Sequence, residues 1–117
     1  MHNFKDLKVW QKSIDLAVEV YKAASLLPND EKYGLISQMK RCSISIPSNI
    51  AEGSGRRSNT QFEHFLTISQ GPAFELETQL IISNRLELLD DSLATNLIKK
   101  TTEIQKMVYF LGNSINT

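Results

Sequence analysis

The sequence predicts an all-α fold, an antiparallel up-down four-helix bundle, and three observations carry that expectation. Apolar residues recur every three or four positions through four segments. Each segment is bounded by capping residues, proline or glycine, and no stretch has the strict alternation or turn chemistry of a β-hairpin. At 117 residues the chain suits one domain, expected to span residues 1–117, with enough core to hold together without disulfides or metal.

In the first segment Leu7, Trp10, Ile14, Ala17, Tyr21 and Ala24 follow one another at alternating steps of three and four, the spacing of one helical face. Asp6 is placed to cap its start and Pro28 lies beyond its end. Trp10 and Tyr21 read as core. Val9, Leu16, Val18 and Val20 fall outside this stripe, so the helix is apolar on more than one face and needs more than one partner to cover it. The second segment opens at "PNDEKYGL", where Asn29 is the expected cap and Asp30 and Glu31 favour the positive end of the helix dipole. Leu35, Met39, Cys42, Ile46 and Ile50 carry its stripe. Pro47 removes a backbone hydrogen bond at a cost of ~3 kcal/mol, which predicts a kink or a short break, and Gly53 and Gly55 are expected to end the helix.

The third segment begins at "SNTQ", in which Ser58 and Gln61 have capping-box spacing. Its stripe is Phe62, Phe65, Ser69, Ala73, Leu76, Leu80 and Ser83, with a kink expected near Pro72. The fourth is expected to start near Asp90 or Asp91 and to run through Leu93, Leu97, Thr101, Ile104, Val108, Leu111 and Ile115.

Thirteen Lys and Arg balance thirteen Asp and Glu, so any attraction to a charged partner must be local. Such a bias exists. From Lys32 to Arg57 the bases Lys32, Lys40, Arg41, Arg56 and Arg57 face one acid, Glu52; from Glu63 to Asp91 the acids Glu63, Glu75, Glu77, Glu87, Asp90 and Asp91 face one base, Arg85. Lys40, Arg41, Arg56 and Arg57 are therefore the candidate nucleic-acid-binding residues, because Arg offers a planar fork to phosphate and basic residues release counterions on binding. Taken singly, Arg56 and Arg57 read first as charges favoured just past a helix C-terminus, and Lys40 and Arg41 as a solvated face. The acidic stretch has a competing use in packing against the basic one, between subunits or with a partner protein.

Other chemistry finds little support. Glu63 and His64 are adjacent, which does not give the Glu-x-x-His pairs of a di-iron bundle. Glu75 and Glu77 are two apart and point different ways on a helix. Cys42 lies in an apolar stripe with no nearby His and reads as an inert core thiol. "GSGR" lacks the preceding strand and the Gly-Lys-Ser/Thr of a phosphate loop. Asn49 and Glu52 share a helix face and read as a polar network with Ser45, Ser48 or Arg56. No catalytic residue, metal ligand or cofactor site is called for. A lone cysteine, the absence of a secretory pattern in "MHNFKDLKVW" and the lack of any run of ~20 apolar residues point to the cytoplasm and away from a membrane partner.

Three blocks, "FKDLKVWQKSIDLAVEVY", "LISQMKRCSISIPSNIAEGSGR" and "FEHFLTISQGPAFELETQL", resemble the signatures of the bacterial four-helix-bundle family of the 23S rRNA intervening-sequence type, to which the accessory protein of diversity-generating retroelements is also similar. The resemblance runs from Phe4 to about Ile115. "NIAEG", a following Arg and Ser-Asn, and "ELE" downstream are specific as a set. Cys42 stands where alanine is more usual, and Pro72 where a small residue usually follows the glycine. The resemblance implies a left-handed bundle assembled into a ring-like homo-oligomer, a pentamer, with RNA, DNA or a nucleic-acid-processing protein as partner. The expectation is a non-enzymatic, nucleic-acid-associated adaptor. The alternatives are a protein-interaction scaffold without nucleic-acid binding, and a metal-dependent hydrolase, for which the spacing offers nothing.

Overall fold

The computed structural model describes residues 2–115, and the regular structure there is helical. Its four long helices are α1 (Lys8–Ala24), α2 (Ser37–Ser54), α3 (Asn59–Arg85) and α4 (Asp91–Ser114), with 3-10 turns at Phe4–Asp6 and Asn29–Glu31 and a wide π-type turn at Lys32–Ile36. α1 packs on α2 and α4, and α3 packs on α2 and α4, which makes a four-helix bundle in chain order. Neighbouring helices run in opposite directions. Met39 touches Ser83 and Gly53 meets Phe65 across α2 and α3, while Asn59 reaches Ile115 and Gln70 reaches Gln105 across α3 and α4. The molecule is a rod of 44 × 22 × 20 Å.

Most of the expected stripes of α3 and α4 lie in the core: Phe62, Ser69, Ala73, Leu76, Leu80 and Ser83 on one, Leu97, Thr101, Ile104 and Val108 on the other, are buried, whereas Phe65, Leu93, Leu111 and Ile115 are half-buried and Leu66 enters the core in place of Phe65. The α1 stripe differs by one position. Val9, Ser13, Leu16, Val20, Ala23 and Leu27 form the core face, whereas Trp10, Ile14 and Ala17 are half-buried beside α2 and Tyr21 is 39% exposed. Tyr21 is thus not core. Ser13 enters the core because its hydroxyl donates to the Trp10 carbonyl at 2.7 Å, leaving no unpaired polar group.

Two helix starts also differ from expectation. Asp6 does not cap α1; it lies in the turn before it, whose cap is Asn3, accepting from the Lys5 amide at 3.1 Å. α2 begins at Ser37 rather than at Asn29, because Gly34 has non-helical φ −107° and ψ −110° and separates the turn from the helix. Pro47 does not break α2, which continues to Ser54, and α3 continues through Pro72. The other caps form as spaced: Ser58 Oγ accepts from the Gln61 amide at 3.1 Å, and Asp90 Oδ1 from the Leu93 amide at 2.8 Å.

Gly53 is not a helix stop. It is buried in the last turn of α2, where a Cβ would sit 2.6 Å from Phe65 Cβ and 3.0 Å from Phe62 Cδ1. The two backbones approach this closely because position 53 has no side chain. At the far end of α3, Glu87 has φ 61°. The Leu88 amide returns to the Ser83 carbonyl and the Glu87 amide to that of Asn84, both at 2.9 Å, which is a Schellman stop with a non-glycine residue in the left-handed position.

Among the described residues six hydroxyl side chains are buried: Ser13, Ser43, Ser54, Ser69, Ser83 and Thr101. Each donates to a carbonyl three or four residues earlier in its own helix. They fill space between helices without leaving a polar group unpaired.

Candidate functional site

Lys40, Arg41, Arg56 and Arg57 do not converge. Sixteen positions separate Lys40 from Arg56 along α2 and its end, about 24 Å at 1.5 Å per residue, which exceeds a Debye length of about 8 Å in physiological salt. Lys40 Nζ stands 5.0 Å from the centre of the Tyr21 ring on α1. Arg41 donates to Gln38 Oε1 at 2.6 Å. Arg56 donates to Glu52 Oε1 at 2.8 Å, one turn earlier, and its guanidinium lies 4.6 Å from the Phe65 ring centre. Arg57 is exposed and has no hydrogen bond or ion pair among the described residues. The basic stretch of α2 adjoins the acidic stretch of α3 within the same chain, since these helices pack side by side.

Arg56 forms one wall of an open depression of about 420 Å³ that Thr60, Gln61, His64 and Phe65 complete. His2 is held at this end of the bundle: its amide donates to the Ser54 carbonyl at 2.8 Å and its ring lies 5.0 Å from Phe62. The N-terminal segment is thereby tied to the corner between α2 and α3, which the sequence did not foretell.

Two apolar faces are more extensive. Between α1 and α2, Trp10, Ile14 and Ala17 meet Ile44, Pro47 and Ala51 around a groove of about 260 Å³, closed at one end by Phe4. Ile44 is half exposed here, and Val18, next to Ala17 in α1, is half exposed outside the groove's lining. On the opposite side of the bundle, Phe74 and Tyr109 flank a groove of about 300 Å³ between α3 and α4, floored by Leu66, Val108 and Gly112. Phe74 is 56% and Tyr109 62% exposed. Phe74 follows the buried stripe position Ala73, but Tyr109 as a second wall depends on how α3 and α4 are registered.

A family model matches residues 5–110, that of the 23S rRNA-intervening sequence protein. The chain belongs to this family. Among solved structures, it is similar to a protein of unknown function from the S23 ribosomal protein family of Bacteroides thetaiotaomicron VPI-5482, at 28% identity and a TM-score of 0.82, covering 88% of this chain and 96% of that one. No curated protein matches.

In this chain the "NIAEG" segment is the last turn and a half of α2 and its polar residues bond locally. Asn49 Nδ2 donates to the Ser45 carbonyl at 2.8 Å and to Ser45 Oγ at 3.1 Å, while Glu52 takes Arg56. That is the polar network expected from their spacing. Cys42 is 3% exposed. Its thiol lies 3.4 Å from Glu75 Oε2 and 3.5 Å from Gln79 Nε2. Burial pushes its pKa up, the Gln79 amide opposes this, and the Glu75 carboxylate adds to it, so the neutral thiol is favoured. Between α1 and α4, Lys12 pairs with Glu103 and Lys100 with Glu19 at 2.7 Å. The Lys12 ammonium holds the Glu103 carboxyl below its usual range. No group of three or more His, Cys, Asp or Glu side chains is arranged to hold a metal ion among the described residues. No helix there is long and apolar enough to cross a membrane.

Proposed function

We propose that the protein is a cytoplasmic, non-enzymatic, self-assembling bundle that works as a nucleic-acid-associated adaptor, in a homo-oligomer of five copies as the family resemblance implies. The observation that carries the assembly is the pair of apolar grooves on opposite sides of the rod, each edged by half-exposed large side chains and neither filled by the chain's own residues. The link to RNA is supported by the family's name and by Arg56 and Arg57 at one end of the bundle. In an assembly each arginine recurs once per copy, so a modest charge becomes a band of phosphate contacts. A non-enzymatic role is supported by Cys42, the only thiol, whose pKa is moved away from activation.

A specific observation favours a second reading, a protein-interaction scaffold without nucleic acid. Lys40, Arg41 and Arg56 are already engaged with Tyr21, Gln38 and Glu52, so only Arg57 of the four reaches phosphate without giving up a contact. The test is binding to RNA and to DNA across a salt series, comparing wild type with Arg56→Ala/Arg57→Ala. The adaptor reading expects affinity that falls steeply with salt, with a shallower slope in the variant. Absence of binding at low salt leaves the scaffold.

A further inference from the structure

We propose that the two apolar faces are each other's partners: the α1/α2 face of one copy seats on the α3/α4 groove of the next, in a head-to-tail contact that repeats around the assembly. This rests on the self-assembling reading above and names the surfaces and the charges that favour one direction between them.

The first argument is the surplus apolar stripe of α1. Val9, Leu16 and Val20 satisfy the core, yet Trp10, Ile14, Ala17 and Val18 on the neighbouring face are also apolar. Together with Ile44 of α2 they make a face that no element of the chain covers. Burying a half-exposed Val or Ile of this kind contributes on the order of 1 kcal/mol.

The second argument is charge. Lys5 Nζ lies 5.9 Å from the Phe4 ring centre at one end of the α1/α2 face, and Lys40 Nζ lies 5.0 Å from Tyr21 at the other. Glu63 borders the α3/α4 groove at one end, and Glu77, which accepts from Gln105 at 2.8 Å, stands farther along α3. None of the four forms an ion pair among the described residues. Glu63 and Glu77 lie on the same helix, about 21 Å apart by helical rise, and the two lysines stand at opposite ends of the α1/α2 face. One face thus carries a cation at each end and the other two unpaired carboxylates spaced along it, a charge complementarity that favours one direction between otherwise non-directional apolar surfaces.

The third argument is area and symmetry. A side of the rod 44 Å long and 20 Å wide presents roughly 900 Å², against about 800 Å² per partner in a standard interface. Because the faces differ and lie on opposite sides, their pairing leaves one of each free at the ends of any dimer, so growth continues past the dimer, ending in a ring where the rotation between copies closes.

The test uses two surface variants, Val18→Asp/Ile44→Asp on one face and Phe74→Asp/Tyr109→Asp on the other. Each is checked for helical content, and its mass in solution is measured alone and in equimolar mixture. Wild type is expected to be larger than a dimer and each variant alone monomeric. The mixture is expected to give a 1:1 heterodimer and nothing larger, since one intact pair of faces remains. Lys5→Glu/Lys40→Glu is expected to weaken assembly about tenfold or more, with recovery when Glu63→Lys/Glu77→Lys is added to the same chain. Wild-type mass in either aspartate variant, dimers of one variant alone, or a mixture that stays monomeric each overturn the face pairing while leaving self-assembly intact. A monomeric wild type at the highest soluble concentration overturns both.

Discussion

Replacing Gly53 with alanine adds one methyl group at the tightest approach between α2 and α3. The new Cβ falls 2.6 Å from Phe65 Cβ, 3.0 Å from Phe62 Cδ1 and 3.3 Å from the Phe62 carbonyl oxygen, where carbon atoms prefer about 3.5–4.0 Å. The worst contact is with a Cβ, which no rotamer change can move, so the helices must separate by roughly 1 Å. Overpacking of this kind costs about 1–3 kcal/mol, and the better helix propensity of alanine, about 1 kcal/mol in a helix interior, returns less than that in a last turn. The net expectation is a loss of about 1–2 kcal/mol. For a chain of this length that lowers Tm by about 4–8 °C, read by thermal melting at 222 nm. Gly55→Ala is the control, because its nearest neighbour is 3.6 Å away and its φ is −82°; it is expected to shift stability by less than about 0.5 kcal/mol. Phe65→Ala keeps its Cβ, so it is not expected to relieve the Gly53→Ala clash. A Gly53→Ala protein as stable as wild type would refute the close-approach argument.

Glu87→Gly is expected to stabilise by about 0.5–1 kcal/mol by removing the left-handed strain, visible as a higher midpoint in urea. Ser58→Ala removes the acceptor for the Gln61 amide and is expected to cost about 1 kcal/mol, measured in the same titration. The Cys42 thiol is expected to react with a disulfide reagent at pH 8 only as the protein unfolds, so labelling should accelerate with urea. A native rate equal to that of a free thiol contradicts its burial. Its folded pKa is raised above the unfolded one, so its contribution is fully present below the unfolded value and lost as pH rises through the folded value. Cys42→Ala is therefore expected to flatten the alkaline decline in stability.

The long third and fourth helices were legible because Phe62, Leu76 and Leu80 on one, and Leu97, Ile104 and Val108 on the other, recur at helical spacing and their caps, Ser58 and Asp90, sit at the expected spacing. α1 was misplaced by one position because Ser13 counts as polar in any periodicity, although its hydroxyl is satisfied by its own helix. The start of α2 was misjudged because Asn29 and Asp30 suit a 3-10 turn as well as a helix start. Gly53 was read as punctuation because a glycine near a helix end and a glycine at a close approach look alike until the partner helix is in place. At the candidate interface, the Glu52–Arg56 pair follows from i,i+4 spacing. The contacts of Lys40 with Tyr21 and of Arg56 with Phe65 depend on the register between helices, which no single helix encodes.

The six buried hydroxyls also bear on how such a sequence can diverge. Where a hydroxyl bonds only to its own helix, as in each of the six but Ser83, whose Oγ also lies 3.7 Å from Met39 Sδ, its removal orphans no partner across the core. At those five positions the residue is free to become alanine without a compensating hydrogen-bond change on a neighbouring helix. That freedom fits a TM-score of 0.82 at 28% identity to the Bacteroides protein: much of the core can change its letters while the spaces between the helices keep their shape.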